Sequence, residues 1–446
     1  MLDSVILAAG EGTRMNSKKS KVLHEICGVA VIDCVVDAAQ TITDGKIITI
    51  VGHSGEQVRQ HLGTRSEYAE QKERLGTGHA VIQALDLLTS DTTLVLAGDT
   101  PLITKKTLAA GLESHRKSGA HVTVLTAKFR KPTGYGRIVC DGENIVRIVE
   151  EKDATDEERK ITEVNSGMYF FNTEFLKSLP GKLNTSNKQG EFYLTDSIEV
   201  AVSEGLKTGK YLIKNDSEIF GINDRVQLEK AARLMRKNII SKHQENGVTF
   251  MDSKSTYIEK NVTIGRDTVI YPQTILQGNT AIGEDCVIMS SRVSSSIIGD
   301  GTKIENSVVL ESQVGEETSI GPFAYIRPNC KIGDRNRIGD FVEIKNSILG
   351  NDTKVSHLSY IGDADIGNNV NFGCGSVVVN YDGKKKYRST IKDGAFIGCN
   401  VNLVSPVVVE ENSFVAAGST ITKKVPARSL AIARNKQENK ENWVKE

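Results

Sequence analysis

A glycine-containing turn directly follows the first apolar segment of the 446-residue chain. It reads Leu7-Ala8-Ala9-Gly10-Glu11-Gly12-Thr13-Arg14-Met15, and Lys21 lies downstream. Glycines let backbone N–H groups approach a polyphosphate, and Arg14 adds a planar fork of donors. The turn lacks the third glycine of a dinucleotide-binding fold and the Gly-Lys-Ser/Thr ending of a Walker loop. The pattern therefore predicts a different class of phosphate-binding loop.

Two further stretches could complete a nucleotide site. Gln71 and the segment Leu75-Gly76-Thr77-Gly78 combine polar groups for a base edge with a glycine that permits close approach. Asp99 follows a run of apolar residues, at a strand end where open α/β sheets bind ligands. Carboxylate oxygen is a ligand that Mg²⁺ prefers. A helix cap is an open alternative for Asp99, because Pro101 begins the next segment.

Together these motifs resemble the signature of the sugar-phosphate nucleotidyltransferases. The resemblance implies that Arg14 and Lys21 are catalytic and neutralise the triphosphate during attack on its α-phosphorus. It implies that Asp99 and Asn223 hold Mg²⁺ and that the base is uracil. Relatives usually carry proline where this chain has Ser20, which should loosen the loop without removing the Lys21 charge. The residues implied to bind UTP or the UDP-sugar are Leu7, Ala8, Ala9, Gly10, Lys21, Gln71, Gly76, Thr77, Gly136, Glu150, Asn165 and Asn223.

Four polar residues near the middle of the C-terminal half could form a second site. The spacing from Arg327 to Lys345 is about 18 residues, one coil of the repeat described below, so the two should stack. Stacked cations repel unless an anion lies between them. His357 is the last histidine of the chain. A neutral imidazole is suited to take a proton from an amine. Tyr360 follows shortly after it. A solvated corner is the alternative for each residue alone.

Aliphatic residues recur every six positions in the same half of the chain. The runs begin at Ile258, Ile320 and Ile391, and glycine often follows the aliphatic residue. This period fits neither a helix nor a flat strand; it predicts a parallel β-helix with three short strands in each coil of about 18 residues. The pattern resembles the hexapeptide-repeat family, whose helix is left-handed. Residues 380–389 interrupt the period and predict an inserted loop.

Both motif sets, in this order, resemble the bifunctional N-acetylglucosamine-1-phosphate uridyltransferase/glucosamine-1-phosphate acetyltransferases over nearly the whole chain. The family implies acetyl-CoA and UTP as co-substrates, homotrimers formed through the β-helix, and a cytoplasmic location. Cys374 and Cys399 replace the alanine and serine of relatives. His357 would be the acetyltransfer base. The residues implied to bind glucosamine-1-phosphate are Arg327, Lys345, Tyr360 and Asn371, and those implied for acetyl-CoA are Cys374, Asn380, Tyr381, Cys399, Ala417 and Arg434.

The N-terminal half alternates segments typical of strands and helices. This order predicts a Rossmann-like α/β domain with a mostly parallel sheet. We expect strands at 4–8, 46–51, 92–97 and 121–127, and helices at 29–40, 79–88 and 104–118. A charged, periodic segment should form a linker helix. The predicted domains are 1–224, a linker at 225–247, and the β-helix with a polar tail at 248–446.

Composition limits the alternatives. Lys+Arg and Asp+Glu are equal at 56 each, so no global charge favours nucleic acid. The N-terminus lacks a basic signal-peptide region, and no apolar run is long enough for a membrane span. Seven cysteines without a CxxC pair predict reduced thiols. Two other functions stay open: a single-activity sugar-1-phosphate nucleotidyltransferase with an oligomerising or regulatory β-helix, and a non-enzymatic scaffold or exchange factor.

Overall fold

The chain divides into two compact units. A computed structural model describes residues 1–52, 55–142, 144–441 and 443–444. The first unit is Met1–Met235 and the second is Arg236–Glu446. Each unit has its own hydrophobic core, since the buried clusters of the first end at Ile219 and the cluster of the second begins at Ile240.

The first unit is built on a mixed sheet in the strand order β11-β7-β10-β6-β1-β4-β5, with β8 and β9 as an extension. Strand β1 pairs in parallel with β4 and β6, whereas β10 is antiparallel to β6 and β7. The prediction of a mostly parallel sheet is therefore confirmed, with β10 and, in the extension, β9 as its antiparallel members. The strands of this unit are β1 Leu2–Ala8, β2 Glu25–Ile26, β3 Val29–Ala30, β4 Ile47–Val51, β5 Glu67–Glu70, β6 Thr92–Ala97, β7 Val122–Lys128, β8 Arg137–Asp141, β9 Asn144–Val149, β10 Glu163–Asn172 and β11 Thr208–Leu212.

Helices cover the sheet, and two of them differ from the sequence prediction. Residues 29–30 form a short strand instead of the first helical turn. The helix expected at 79–88 begins earlier, at Thr77, because the Gly78 N–H bonds the Phe192 carbonyl at 2.8 Å. It ends at Ile82, and a 3-10 turn follows at Leu85–Leu87. The helices are α1 Val31–Gln40, α2 Gly55–Leu62, α3 Thr77–Ile82, α4 Lys105–Ser118, α5 Thr173–Lys177, α6 Ser197–Ser203 and α7 Arg225–Glu245.

Helix α7 contains the boundary between the two units. Ala231 is buried in the first unit, where the Ala232 carbonyl accepts from the Cys27 thiol at 3.5 Å. Ile240 belongs to the core of the second unit, and Arg236 lies over the Tyr257 ring. Within the described residues, no helix, α7 included, is long and apolar enough to cross a membrane.

The second unit is a parallel β-helix of three sheets with 11, 10 and 9 strands in its described residues. The first sheet contains Thr249–Phe250, Val269–Ile270, Val287–Met289, Lys303–Glu305, Ser319–Ile320, Arg337–Asp340, Lys354–His357, Asn371–Phe372, Phe396–Ile397, Phe414–Val415 and Leu430–Ala431. The second contains Tyr257–Ile258, Ile275–Gln277, Arg292–Ser294, Val308–Leu310, Tyr325–Ile326, Glu343–Lys345, Tyr360–Gly362, Val377–Val379, Asn402–Val404 and Thr420–Ile421. The third contains Thr263–Ile264, Ala281–Ile282, Ile297–Ile298, Gln313–Val314, Lys331–Ile332, Ile348–Leu349, Ala364–Ile366, Ser389–Ile391 and Val408–Val409.

The six-residue period places one aliphatic side chain of each short strand inside the helix. Ile320, Ile326 and Ile332 are successive examples, each at most 4% exposed. Shorter coils, such as the one that joins Val287 to its register partner Lys303, account for the slips in phase. The predicted insertion is present, because the coil from Asn371 to its partner Phe396 is longer than its neighbours and contains the extra loop.

Candidate active sites

A cavity of about 350 Å³ opens at the carboxyl ends of strands β1 and β6 in the first unit. Nine of its 14 lining residues belong to the set predicted from sequence for UTP or the metal: Leu7, Ala8, Ala9, Gly10, Lys21, Gln71, Gly76, Thr77 and Asp99. The register explains this meeting, since Leu7 of β1 pairs with Ala97 of β6. Motifs far apart in sequence therefore end at one edge of the sheet.

Lys21, Asp99 and Asn223 converge at this cavity. The Lys21 Nζ donates to Asp99 Oδ2 at 2.5 Å and to Asn223 Oδ1 at 3.2 Å. The side chains of Lys21 and Asp99 are 12% and 20% exposed, so the ion pair is largely shielded from water. Gly12, at φ +64°, makes this position possible, because a Cβ there would lie 2.6 Å from the Lys21 Cβ. The structure thus brings a cation and two oxygen donors together as the sequence predicted.

The Asp99–Asn223 pair has the donor chemistry of a magnesium site. Both oxygens bond one ammonium group, so they face a common position where a cation is favourable. The described residues contain no cluster of three or more His, Cys, Asp or Glu side chains arranged for a metal. Mg²⁺ usually binds through one or two carboxylates and completes its shell with phosphate and water. The residues present therefore fit a metal that arrives with a nucleotide.

The base-side residues are held in place by the protein itself. The buried Gln71 carboxamide donates from Nε2 to the Gly76 carbonyl at 3.0 Å. Gly76 has φ +107°, and a Cβ there would lie 2.5 Å from the Phe192 carbonyl oxygen, so the packing of Phe192 alone requires glycine. The Thr77 hydroxyl accepts from the Leu194 N–H at 3.1 Å, which leaves its own O–H as a donor.

Arg14 is not among the residues that line the cavity, and Ser20 differs from expectation. Arg14 lies on a 3-10 turn between two left-handed residues and is exposed, outside the set that lines the cavity. Ser20 is buried, and its N–H donates to Gln57 Oε1 at 3.0 Å. The same carboxamide donates to the Lys18 carbonyl at 3.2 Å. The serine therefore ties the loop to α2 instead of loosening it.

The sequence interpretation missed two charged residues that line the cavity, Arg74 and Glu191. Arg74 is paired with Glu11 of the glycine turn. It lies shortly after the buried Gln71, in a loop, and gave no periodic signal. Arg74 could be recognised as a cation suited to bind phosphate only once the position of the Gly76 turn was known.

The three residues predicted for the sugar phosphate lie side by side. A Cβ on Gly136 would lie 3.3 Å from Glu150 Oε1 and 3.5 Å from the Asn165 Cβ. The Asn165 N–H also donates to the Gly136 carbonyl at 2.9 Å. Glu150, taken alone, suggested a solvated surface residue. Instead it is half-buried. Its burial, and to a smaller extent the charge of Asp153, raise the pKa of its carboxyl.

A cluster of cations lies on the second sheet of the β-helix. Arg327 and Lys345 are on adjacent coils, as their spacing predicted. Gly362 follows Lys345 in register, and a Cβ there would lie 2.5 Å from the Tyr360 hydroxyl, so the phenol lies over this glycine. Lys386, which the sequence interpretation missed, joins the cluster from the inserted loop. Its contact with Lys345 lowers the pKa of the Lys386 ammonium.

The protein's own carboxylates relieve the repulsion between Arg327 and Lys345. The expectation that only a bound anion could relieve it is therefore wrong. Arg327 donates to Glu343 at 2.8 Å, and Lys345 lies 3.4 Å from Asp363. Asp363 also accepts from Asn380. This contact associates Asn380 with the sugar-phosphate cluster rather than with the other residues predicted for acetyl-CoA.

Two more predicted residues stand apart from the cation cluster. Asn371 is on the first sheet, between the register partners Lys354 and Phe396. Tyr381 is exposed on the inserted loop, where its hydroxyl donates to the Gly383 carbonyl at 2.7 Å and its backbone bridges Lys386.

His357 is paired with a carboxylate on the preceding coil. Its Nδ1 lies 2.5 Å from Asp340 Oδ1, and the two residues are register partners. The hydrogen bond with His357 lowers the pKa of the Asp340 carboxyl, so Asp340 is ionised at neutral pH. A carboxylate on Nδ1 selects the tautomer whose Nε2 is the acceptor. This arrangement is that of a general base with an orienting acid.

The residues predicted for acetyl-CoA continue along the same edge of the helix. The Gly375 N–H donates to the His357 carbonyl at 3.4 Å, Asn400 to Cys374 at 2.8 Å, and Gly418 to Cys399 at 2.8 Å. Each donor is the residue directly after Cys374, Cys399 or Ala417. The bonds therefore stack one residue from each successive coil along one edge of the helix, called here the edge ladder: Asp340, His357, Cys374, Cys399 and Ala417. Arg434 closes it, donating to the Ala417 carbonyl at 2.9 Å.

The first unit has a cavity suited to phosphate groups at the edge of its α/β sheet, and the β-helix has its own histidine–carboxylate pair. These features define a transferase with two sites. The nucleotidyl transferase family model matches residues 3–217, and the bacterial transferase hexapeptide model (six repeats) matches 311–346 and 388–423. The β-helix is therefore the left-handed type of the hexapeptide proteins.

Curated relatives match almost end to end and carry the name Bifunctional protein GlmU. The relative from Acetivibrio thermocellus is 52% identical over 447 residues, which cover 99% of this chain and 97% of the relative. Those from Geobacillus sp. and Clostridioides difficile are 52% and 50% identical, with the same two coverages. The chain belongs to the GlmU family, the bifunctional uridyltransferase/acetyltransferase family that its motifs resemble, and that resemblance is confirmed.

Proposed function

We propose that the two sites perform consecutive steps in the synthesis of UDP-N-acetylglucosamine. The β-helix transfers an acetyl group from acetyl-CoA to the 2-amine of glucosamine-1-phosphate. The first unit then joins the resulting N-acetylglucosamine-1-phosphate to UMP from UTP and releases pyrophosphate. The two chemistries use separate groups, since Lys21, Asp99 and Asn223 lie in one unit and His357 in the other.

In the first unit, a phosphate oxygen of the sugar attacks the α-phosphorus of UTP, and the bond to pyrophosphate breaks. Lys21 and Arg14 stabilise negative charge on the triphosphate. Gln71 and Thr77 bind the base edge, and Gly136, Glu150 and Asn165 bind the sugar. Asp99 and Asn223 would hold Mg²⁺, which supplies further charge neutralisation and orients the phosphates.

The observation that carries this assignment is the bonding of the Lys21 ammonium to both Asp99 and Asn223 at the cavity. Asp99→Asn keeps the shape of the side chain and removes its charge. We expect it to lower Mg²⁺-dependent pyrophosphate release at least about a hundredfold, because the metal loses its carboxylate. The control is Asp156→Asn, whose carboxylate is 93% exposed. Near-normal pyrophosphate release by Asp99→Asn would refute the assignment.

A second activity is favoured by the His357–Asp340 pair at 2.5 Å. The Nε2 of His357 takes the proton from the amine as it attacks the thioester, and Asp340 stabilises the imidazolium that forms. The sugar phosphate binds at Arg327, Lys345 and Lys386. Acetyl-CoA lies along the edge ladder that begins beside His357.

His357→Ala should slow release of free thiol from acetyl-CoA by about 10²–10⁴-fold and leave pyrophosphate release from supplied N-acetylglucosamine-1-phosphate intact. The chain offers a matched control in His61, which is paired with Asp33 at 2.9 Å in the other unit. His61→Ala should leave thiol release unchanged. If His357→Ala retained most of its acetyltransfer, another group would be the base.

We also assign the finer properties of the family to this chain as part of the proposal. They are Mg²⁺ as the metal, a homotrimer formed through the β-helix, and a cytoplasmic location. The β-helix of the single-activity alternative would need no base, whereas this one holds His357 against an ionised carboxylate. The scaffold alternative would need no shielded Lys21–Asp99 pair.

A further inference from the structure

Cys374 and Cys399 are neighbours in space, although the inserted loop separates them in sequence. They occupy equivalent positions on the edge ladder, since the Asn400 N–H donates to the Cys374 carbonyl at 2.8 Å. The strands before them also pair in register, Asn371 with Phe396 and Phe372 with Ile397. A Cβ on Gly373 would lie 2.5 Å from the Cys399 nitrogen, which shows how closely the two turns stack.

This spacing suits a disulfide. Hydrogen-bonded neighbouring strands lie about 4.8 Å apart, and the turns that hold the two cysteines continue the register of the paired strands before them. Disulfides join residues whose Cα atoms are about 4.4–6.8 Å apart. The spacing expected for the two stacked turns falls within this range.

Both thiols can also be reached by reagents in solution. Cys399 is exposed and Cys374 is half-buried, whereas Cys286 and Cys330 of the same unit are buried in its core. Burial raises the pKa of the Cys286 and Cys330 thiols, which keeps them protonated and inert. Oxidation should therefore select the exposed pair.

The position of the pair gives oxidation a consequence. The cysteines lie on the edge ladder between His357 and Ala417, where the proposed function places acetyl-CoA. The chain between them includes the inserted loop that carries Lys386. A covalent bridge at this point would change the surface beneath the thioester and tie the loop to the ladder.

We propose that Cys374 and Cys399 form a reversible disulfide between adjacent coils, and that this redox-sensitive modification controls acetyltransfer. The effect on acetyltransfer rests on the proposed function, whereas the formation of the bond does not. The oxidant is a small disulfide such as oxidised glutathione. One thiolate attacks it, forms a mixed disulfide and releases one reduced glutathione. The second cysteine then displaces the other glutathione. Two protons and two electrons leave the protein, and the glutathione disulfide is reduced to two thiols.

The test treats the full-length chain with oxidised glutathione, blocks remaining thiols with iodoacetamide, and maps non-reduced peptides by mass spectrometry. We expect one cross-linked peptide pair joining Cys374 to Cys399, lost on reduction with dithiothreitol. Thiol release from acetyl-CoA should fall about ten- to a hundredfold on oxidation and recover on reduction, since small displacements at a reacting centre cost this much. Pyrophosphate release should not change.

Variants separate the pair from other thiols. Cys374→Ala and Cys399→Ser should each abolish the cross-link and leave at most a glutathione adduct on the remaining thiol. The double variant Cys374→Ala/Cys399→Ser should make the ratio of oxidised to reduced acetyltransfer close to one, whatever its basal rate. The matched control is Cys140→Ser, which removes a half-buried thiol of the first unit and should leave the cross-link and the response intact. Only single glutathione adducts, or a cross-link without loss of acetyltransfer, would overturn the proposal. Absence of acetyltransfer from the fully reduced protein would instead refute the proposed function, and the cross-link would still be measurable.

Discussion

At the scale of single residues, the catalytic side chains depend on neighbours that the motifs did not reveal. Lys21 is the clearest case, because the residue before it departs from relatives and is nevertheless firmly held. The Gln57 carboxamide bonds both the Lys18 carbonyl and the Ser20 N–H, at 3.2 and 3.0 Å. It thereby fixes the loop segment from which the Lys21 side chain reaches Asp99. We infer that Gln57 is a positioning residue of the uridyltransfer site.

Gln57→Leu should lower kcat for pyrophosphate release by about tenfold or more while the KM for the sugar phosphate changes little, because a displaced Lys21 acts mainly on the transition state. Gln60→Leu is the matched control, since Gln60 lies on the same helix and its carboxamide bonds the exposed Glu56. Ser20 has φ −52°, which proline can adopt. Ser20→Pro should therefore restore part of the activity of Gln57→Leu. Equal activity of Gln57→Leu and Gln60→Leu would rule out positioning.

Sequence motifs identified the residue types at both sites but not all of their contacts. The resemblance implied that Asp99 and Asn223 hold one metal ion, and in the structure both side chains bond the Lys21 ammonium. Lys386 and Asp340 were missed, because one lies in a lysine-rich loop and the other is a single carboxylate among many. The coil register brings Asp340 to His357, and the inserted loop brings Lys386 to Lys345.

At the scale of elements, the six-residue repeat made the β-helix predictable almost strand by strand, because each coil repeats the same packing requirement. The α/β unit was less predictable. The short helix α3 begins earlier than predicted, at Thr77, where Gly76 and Gly78 pack on Phe192, and such tertiary contacts leave no local pattern. The antiparallel strand β10 carries buried apolar residues, as its neighbours β6 and β7 do, so its direction could not be inferred.

Helix α4 carries a buried histidine that makes the first unit sensitive to acid. His115 is 5% exposed, bonds Thr123 of β7 at 2.8 Å, and stacks near Phe170. Burial lowers its pKa to about 4. The unfolded chain therefore takes up this proton near pH 6.5 and the folded chain only near pH 4. The stability contributed by neutral His115 is present above pH 6.5 and is lost as the pH falls toward 4.

We expect the free energy of unfolding of wild type, relative to His115→Gln, to decline by up to about 3 kcal/mol between pH 6.5 and 4. Denaturant unfolding of both proteins, followed by a signal from the first unit, measures the difference at each pH. Other titrating groups cancel in this comparison. A difference that stays constant over the window would show that His115 takes up its proton in the folded state as readily as in the unfolded chain.

At the scale of the whole molecule, two units with separate cores are joined within helix α7. A fragment ending at Arg236 retains every residue assigned to uridyltransfer and none assigned to acetyltransfer. We expect it to fold, to release pyrophosphate at close to the rate of the full chain, and to release no thiol from acetyl-CoA. A soluble, folded fragment without pyrophosphate release would contradict the independence of the two sites.

The central claim is that one chain performs two separable chemistries. The most direct measurement supplies glucosamine-1-phosphate, acetyl-CoA and UTP together and follows free thiol and pyrophosphate as separate signals in wild type, Asp99→Asn and His357→Ala. Wild type should show thiol first and pyrophosphate after it. Asp99→Asn should show thiol alone, and His357→Ala should show neither until N-acetylglucosamine-1-phosphate is added, when pyrophosphate alone appears. Pyrophosphate without prior thiol release in wild type, or loss of both signals in Asp99→Asn, would contradict the account.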